Sequence, residues 1–102
     1  MFFNLFKKKE ERSTKKIKIR QIGTVTHYYN KISVAIIEIQ NDFIALDEVL
    51  FIKGEKTRFR QRVRSIEYEH QKISKAPVGY QIGLQVGAPV QSGDIVYKEI
   101  AV

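Results

Sequence analysis

The chain has 102 residues, 43% of them hydrophobic and 28% charged, and it carries a net charge of +7 without a single cysteine. These values predict one ordinary globular domain and exclude a disulfide framework or a thiolate metal site. No apolar run approaches the roughly 18 residues of a membrane span, and the apolar start MFFNLF precedes its positive cluster, the reverse of a secretory signal. We therefore expect a cytoplasmic protein.

Residues 1–16 form a basic N-terminal segment that we predict to be a flexible tail. Eight of the chain's 18 basic side chains lie within residues 1–20, so the positive charge is concentrated at this end. A basic tail on a nearly neutral domain is a common arrangement for holding nucleic acid or an anionic membrane surface. Two interpretations stay open: a solvated tail, or a weak contact of residues 1–9 with an anionic membrane through aromatic side chains and lysines.

From residue 17 onward, apolar residues alternate with polar ones, which predicts strands. Ile17 and Ile19 alternate with lysine and arginine, so one side of the first strand is expected to face the core. The dipeptide at 30–31 separates this strand from the β-branched run ISVAIIEI, and GEK forms the turn after the strand VLFIK. We predict one long strand over residues 57–70.

The second half of the chain shows two turns and two further strands. PVG fits a tight turn with Pro77 at its second position and Gly79 at its fourth, as type I turns allow. Residues 80–86 alternate most regularly, and SGD forms a turn before the last strand, IVYKEI. The pattern predicts an all-β domain over residues 17–102, a small six- to seven-stranded antiparallel β-barrel, because closure removes exposed sheet edges.

Four glycines have positions that suggest a structural role. Gly23 and Gly83 lie inside predicted strands, where glycine weakens the strand unless another backbone passes close or a corner bends. Gly79 and Gly93 fall in predicted turns, where a positive φ is expected.

Three stretches of the sequence carry a resemblance to a known family: IGTVTHYYNKISVAIIEI, FIKGEKTRFRQRVRSIEYEH and APVGYQIGLQVGAPVQSGDIVYK. In this order they resemble the small translation elongation factor-like proteins. The barrel of that family is similar to the second domain of elongation factor Tu and to the C-terminal barrel of collagenase-like peptidases. The resemblance implies a barrel of the translation-factor domain 2 type, with RNA or the ribosome as partner. The sequence departs from the family at Leu46, where glycine is usual, and at Arg58, where an acidic residue is frequent.

Four arginines occupy alternate positions of one predicted strand: Arg58, Arg60, Arg62 and Arg64. Period-two geometry places all four on one face, about 6.7 Å apart for a rise of about 3.3 Å per residue. Arginine is suited to bidentate contact with phosphate, and a row of like charges favours an anionic ligand. The alternative is that neighbouring carboxylates neutralise the row as solvated ion pairs; the candidates are Glu38, Asp42, Asp47 and Glu48.

His27 and Tyr28 lie at the end of the first long strand, where their rings can stack unpaired bases. The alternative is that alternate members of this segment pack inside the barrel. Two histidines without cysteine make a poor zinc site, because structural zinc needs four ligands. The sequence has no P-loop and no G-x-S-x-G nucleophile elbow, so we predict no catalytic residue, no metal, no cofactor and no small-molecule substrate.

These observations predict a non-enzymatic RNA-binding module associated with translation, with tRNA or ribosomal RNA as its ligand. The arginines and the two rings form most of the predicted site, and three basic residues between tail and domain complete it: Lys16, Lys18 and Arg20. An alternative is a protein-interaction or scaffolding barrel whose tail contacts a membrane surface weakly. A third interpretation is a regulatory subunit of a separate enzyme.

Overall fold

The computed structural model describes residues 17–101, which form ten β-strands. The predicted flexible tail over residues 1–16 lies outside the described residues and stays a prediction. The strands are β1 (Ile17–Tyr29), β2 (Val34–Ile39), β3 (Phe43–Ala45), β4 (Val49–Lys53), β5 (Arg58–Arg62), β6 (Ile66–Tyr68), β7 (Gln71–Ile73), β8 (Lys75–Pro77), β9 (Gln81–Gln85) and β10 (Ile95–Ala101).

Eight of the strands form one sheet in the order β5-β4-β10-β1-β2-β9-β6-β7, and β3 pairs with β8 in a separate two-stranded sheet. Neighbouring strands are antiparallel throughout, which confirms the all-β antiparallel class. The predicted count of six or seven strands is wrong, and the strand order is open, with β5 and β7 at its two ends. Strands β3, β6, β7 and β8 are each three residues long, too short for alternation in the sequence to reveal them.

The core consists of aliphatic side chains from alternate strand positions. Each such side chain contributes about 1.5–3 kcal/mol when it is fully buried. The alternation predicted for residues 80–86 is confirmed, because Ile82, Leu84 and Val86 are all buried. The largest fully buried side chains are Ile22, Ile37, Ile39, Ile44, Leu50, Ile52, Ile66, Ile82 and Leu84.

β1 is irregular at two points, because its register shifts between Gln21 and Gly23 and again between Val25 and His27. A side chain at Gly23 would collide with the backbone carbonyl oxygen of Glu38 on β2. The predicted close approach of a second backbone is therefore confirmed at this glycine.

The first residues of β1 do not reach the core. Ile17 is 61% exposed and Ile19 is 52% exposed, so the prediction that they face inward is wrong. Among the described residues, this part of β1 pairs with β10 alone, and pairing with β2 begins at Gly23. The alternating sequence pattern starts at residue 17, but the strands that bury its apolar side begin alongside β1 only later in the strand.

The single strand predicted over residues 57–70 is also wrong. It is divided into β5, which pairs with β4, and β6, which pairs with β7 and β9 at the other end of the sheet order. Between them the chain turns a corner at Val63, whose amide donates to the carbonyl oxygen of Glu48 at 2.8 Å. The polar–apolar alternation slips by one position at the corner, because Arg64 and Ser65 are consecutive polar residues between Val63 and Ile66. The sequence therefore carried a signal of the corner that the single-strand prediction missed.

Two predicted turns form, one of them with a different residue arrangement. Gly79 (φ 96°) and Gly93 (φ 97°) both have the expected positive φ. In the first turn the amide of Tyr80 donates to the carbonyl oxygen of Pro77 at 3.3 Å. Pro77 is therefore the first residue and Gly79 the third, and a positive φ at the third position is typical of type II rather than the predicted type I turn.

Residues 17–101 include no helix with the length and hydrophobicity that a membrane crossing requires. The cytoplasmic location stays a prediction.

Candidate functional site

Three of the four arginines predicted to share a face lie at alternate positions of β5, and the fourth, Arg64, follows β5 beyond the corner at Val63. Arg58, Arg60, Arg62 and Arg64 are all exposed, while Val63 is buried between them. We refer to these four residues as the arginine face. β5 is the end strand of the eight-stranded sheet and pairs with β4. The exposed arginines of β5 therefore lie on the solvent side of this edge of the sheet.

Two members of the arginine face already have partners within the domain. Arg60 makes a bidentate pair with Glu99, with Nε 2.8 Å from Oε2 and Nη2 3.0 Å from Oε1. The hydrogen bonds from Arg60 lower the pKa of Glu99, outweighing the opposite effect of burial, and the carboxylate raises the pKa of Arg60. Arg62 donates to the backbone carbonyl oxygen of Asp47 at 2.7 Å.

The partners differ from those expected. None of the four carboxylates proposed from the sequence neutralises the arginine face within the described residues, and Glu99 does so instead. Arg58 and Arg64 have no side-chain hydrogen bond to any of residues 17–101, and Arg58 lies directly opposite Lys53 on β4. Two of the four residues of the arginine face, Arg60 and Arg62, therefore have intramolecular partners among the described residues.

Of the three basic residues predicted between the tail and the domain, two lie in the described part of the chain. Lys16 lies outside the described residues, and Lys18 is exposed near the start of β1. Arg20 pairs with Asp42, with Nη1 2.9 Å from Oδ2. The structure thus uses Arg20 to hold the loop before β3.

Sequence reasoning missed a buried lysine. Lys98 on β10 is only 4% exposed, and its ammonium group lies 3.4 Å from an Asp42 oxygen and 3.3 Å from a Glu48 oxygen. Burial of the Asp42 carboxyl raises its pKa, but Lys98 and Arg20 together outweigh that effect, so its pKa lies below the ordinary value. The alternation of the last strand was the signal for this burial, because Lys98 lies two residues after Val96 and therefore on the same, buried side of β10.

His27 and Tyr28 point to opposite sides of β1. Tyr28 packs against the core, as the alternative interpretation of this segment expected. His27 is exposed and lies edge to face with Tyr29, with ring centroids 4.3 Å apart. The two rings therefore do not form a joint stacking surface.

A groove of about 520 Å³ crosses the outer surface of β2, β9 and β6. Its floor consists of Val34 and Ile36 on β2 and of Gly83 on β9, which lies opposite Ile36 in the sheet. A methyl group placed on Gly83 would lie 3.4 Å from Val34 Cγ1 and 3.9 Å from Ile36 Cδ1, ordinary contact distances. The missing side chain of Gly83 thus leaves a depression, and we call the feature the Gly83 groove.

The two walls of the Gly83 groove differ in chemistry. One is apolar, formed by Tyr29 (50% exposed) and Ile32 (61% exposed). The other is formed by Glu67 on β6 and by the turn residues Glu69 and His70. Lysine and arginine are absent from the part of the groove that the described residues form. A basic chain therefore carries an acidic, apolar-floored groove.

The turn beside the groove has an unusual backbone. Glu69 has φ 50° and His70 has φ 66°, so both central residues of the β6–β7 hairpin are left-handed. Such two-residue hairpins normally contain Asn-Gly or a similar pair, because other residues are strained at positive φ. Burial, and after it the carboxylate of Glu69, raises the pKa of Tyr68. No signal in the sequence indicates this turn.

Within residues 17–101 no three histidine, aspartate or glutamate side chains are grouped so that they could hold a metal ion. A scan against protein-family models finds no match. One curated relative is an uncharacterized protease of Methanocaldococcus jannaschii, 32% identical over 77 residues, which cover 76% of this chain. The chain spans only 19% of that protein's length.

Solved structures resemble the fold as a whole. The C-terminal domain of a Geobacillus thermoleovorans protein named as a U32 peptidase matches with a TM-score of 0.74 and 17% identity, over 79% of this chain and 93% of the domain. The selenomethionine variant of that domain matches with a TM-score of 0.71 and 16% identity, over 76% of this chain and 96% of the variant. The chain therefore shares the fold of this C-terminal domain.

These comparisons correct the functional interpretation of the sequence. The resemblance to the C-terminal barrel of collagenase-like peptidases is confirmed at the level of fold, whereas the likeness to elongation factor Tu is not shown. The prediction of an RNA-binding translation module is wrong, because the relatives are named as proteases. The sequence misled because a row of arginines has the same pattern whether it binds phosphate or pairs with Glu99.

Proposed function

We propose that this chain is a non-catalytic, protease-associated domain that binds unfolded polypeptide for a peptidase catalytic unit. The observation that carries the proposal is the match to 93% of an isolated peptidase C-terminal domain, together with a match to 19% of a named protease. A match to this share of the protease corresponds to one domain of a larger enzyme. The proposal places peptide-bond hydrolysis in the remainder of such an enzyme.

The sequence supports a binding role rather than a catalytic one. It has no cysteine, which excludes a thiolate nucleophile, and no nucleophile-elbow motif. The Gly83 groove supplies an open, partly apolar surface of the kind that an extended chain can contact. The idea of a regulatory subunit, one of the sequence-based interpretations, is compatible with this role.

The experiment uses the full chain with fluorescein-labelled, reduced casein as an unfolded polypeptide. We expect saturable binding by fluorescence anisotropy and no release of labelled fragments. Labelled folded albumin is the control, and it should not bind. Release of fragments by the purified chain, or the absence of casein binding, would contradict the proposal.

A further inference from the structure

The floor of the Gly83 groove has room for one apolar side chain. Gly83 leaves the space above β9 empty, and Val34 and Ile36 border it with methyl groups 3.4 Å and 3.9 Å from the position a Cβ would take. Both are half-buried, so they retain exposed apolar surface facing the groove. A ligand side chain placed there would cover that surface and gain its burial.

The negative charges on one wall of the groove favour cationic groups on either side of such an apolar side chain. Glu67 and Glu69 lie along one wall; Lys72 lies opposite Glu67 in the β6–β7 pair, but neither glutamate forms a salt bridge with another residue in 17–101. Their carboxylates are therefore available to ammonium or guanidinium groups. Phosphate or an acidic peptide would be repelled by the same wall.

The aromatic side of the groove supports an extended ligand. Tyr29 is 50% exposed and lies edge to face with His27, so its ring presents aromatic surface along this wall. The groove runs across three neighbouring strands and is open to solvent, which suits an extended segment better than a compact small molecule.

We propose that the Gly83 groove binds an extended polypeptide segment in which an apolar side chain is flanked by lysine or arginine. The apolar side chain occupies the space over Gly83, and the flanking cations pair with Glu67 and Glu69. This inference rests on the proposed function, since it names the class of polypeptide that the domain selects.

The test measures anisotropy of three short labelled peptides with the full chain. The first places leucine between lysines, the second places leucine between glutamates, and the third places serine between lysines, all within glycine spacers. We expect the first to bind at least about fivefold more tightly than either of the others, with an affinity that weakens as salt is added.

Substitutions in the groove locate the site. Gly83→Ala fills the depression, and the double variant Glu67→Gln, Glu69→Gln removes the wall charge; each should weaken the first peptide by about fivefold or more. The matched control is Gly87→Ala, because Gly87 lies outside the groove and a methyl group there meets only Gln61 at 3.8 Å. Unchanged thermal unfolding of each variant shows that the fold is retained.

The outcomes separate this inference from the proposed function. If casein and the first peptide bind but the groove variants bind them as tightly as the original chain, the inference is wrong and the proposed function stands. If the glutamate peptide binds as well as the lysine peptide, the charge selection is wrong. If neither casein nor any peptide binds, the proposed function fails and the inference with it.

Discussion

The ammonium nitrogen of Lys98 lies 3.6 Å from the centre of the Phe43 ring and donates a hydrogen bond to the carbonyl oxygen of Phe43 at 2.9 Å. Lys98 belongs to β10 in the eight-stranded sheet, and Phe43 begins β3 in the two-stranded sheet. The carboxylates of Asp42 and Glu48 complete the surroundings of the ammonium group. One buried cation therefore joins the two sheets.

Replacing this lysine should destabilise the fold. Lys98→Met keeps much of the volume but leaves Asp42 and Glu48 without their shared cation. Removing one member of a buried pair costs about 3–5 kcal/mol, and because both carboxylates are partly exposed we expect about 2–3 kcal/mol. Urea denaturation followed by circular dichroism measures the free energy of unfolding.

Lys75→Met is the matched control for Lys98→Met. The ammonium group of Lys75 lies over the same Phe43 ring at 4.2 Å, but the residue is exposed. An exposed cation–π contact contributes about 0.5–1 kcal/mol, so the loss should be clearly smaller. Equal losses in the two variants would contradict the role assigned to burial.

Stability should fall in acid through Asp42 and Glu99. The folded-state pKa of each carboxyl lies below its ordinary value, 3.8 for Asp42 and 4.5 for Glu99. The two ionised carboxyls therefore contribute their full stability to the fold above the ordinary pKa values. That stability is lost as the pH falls through their lowered folded-state pKa values. Glu99→Gln should make the acid side of a plot of unfolding free energy against pH shallower.

Glu55→Gln serves as the comparison for Glu99→Gln. Glu55 is exposed in the β4–β5 turn and forms no salt bridge with another described residue. Its replacement should leave the acid dependence as it is. An unchanged slope for Glu99→Gln as well would show that the pair with Arg60 does not persist in solution.

Two glycines inside strands should respond oppositely to alanine. At Gly23 a methyl group would overlap the carbonyl oxygen of Glu38, a backbone atom that cannot move aside, and we expect a loss of about 1–3 kcal/mol. At Gly83 the methyl group has ordinary contacts and restricts the unfolded chain, so stability should change by less than about 1 kcal/mol, towards stabilisation. Thermal unfolding of the two variants compares them directly.

The β6–β7 turn should gain stability from glycine. His70 has φ 66°, which costs a side-chain-bearing residue roughly 1–2 kcal/mol relative to a right-handed conformation. His70→Gly removes that cost but loosens the unfolded chain, and we expect a net gain of about 0.5 kcal/mol. Ser74→Gly, at an exposed position without positive φ, should instead lower stability.

Much of the architecture was predictable from local pattern. β2, β4, β9 and β10 lie where alternation and turn residues placed them, because one buried face enforces a period of two. The arginine face was predictable for the same reason. The exposure of Ile17 was not predictable, since it depends on which strand lies alongside. The corner at Val63 left a local trace in the consecutive polar residues Arg64 and Ser65, but that trace does not identify the strands with which β5 and β6 pair.

The candidate site was less predictable than the fold. The Gly83 groove combines residues from β1, β2, β6, β9 and two turns, and its decisive feature is the missing side chain of Gly83, which the sequence suggested as a backbone contact. The partner of Arg60 was equally hidden, because Glu99 lies 39 residues away along the chain. The sequence gives the number of charged side chains, but only the fold decides which of them form ion pairs.

The sequence by itself determined the all-β class, most strand positions and the basic character of the chain, because these follow from local periodicity and composition. The tertiary structure decided that Arg60 pairs with Glu99, that Lys98 is buried between two sheets, and that an acidic groove lies on a basic protein. The physical reason is that contacts across sheets join residues distant in sequence. Burial and pairing, rather than residue type, then set what each charge can bind.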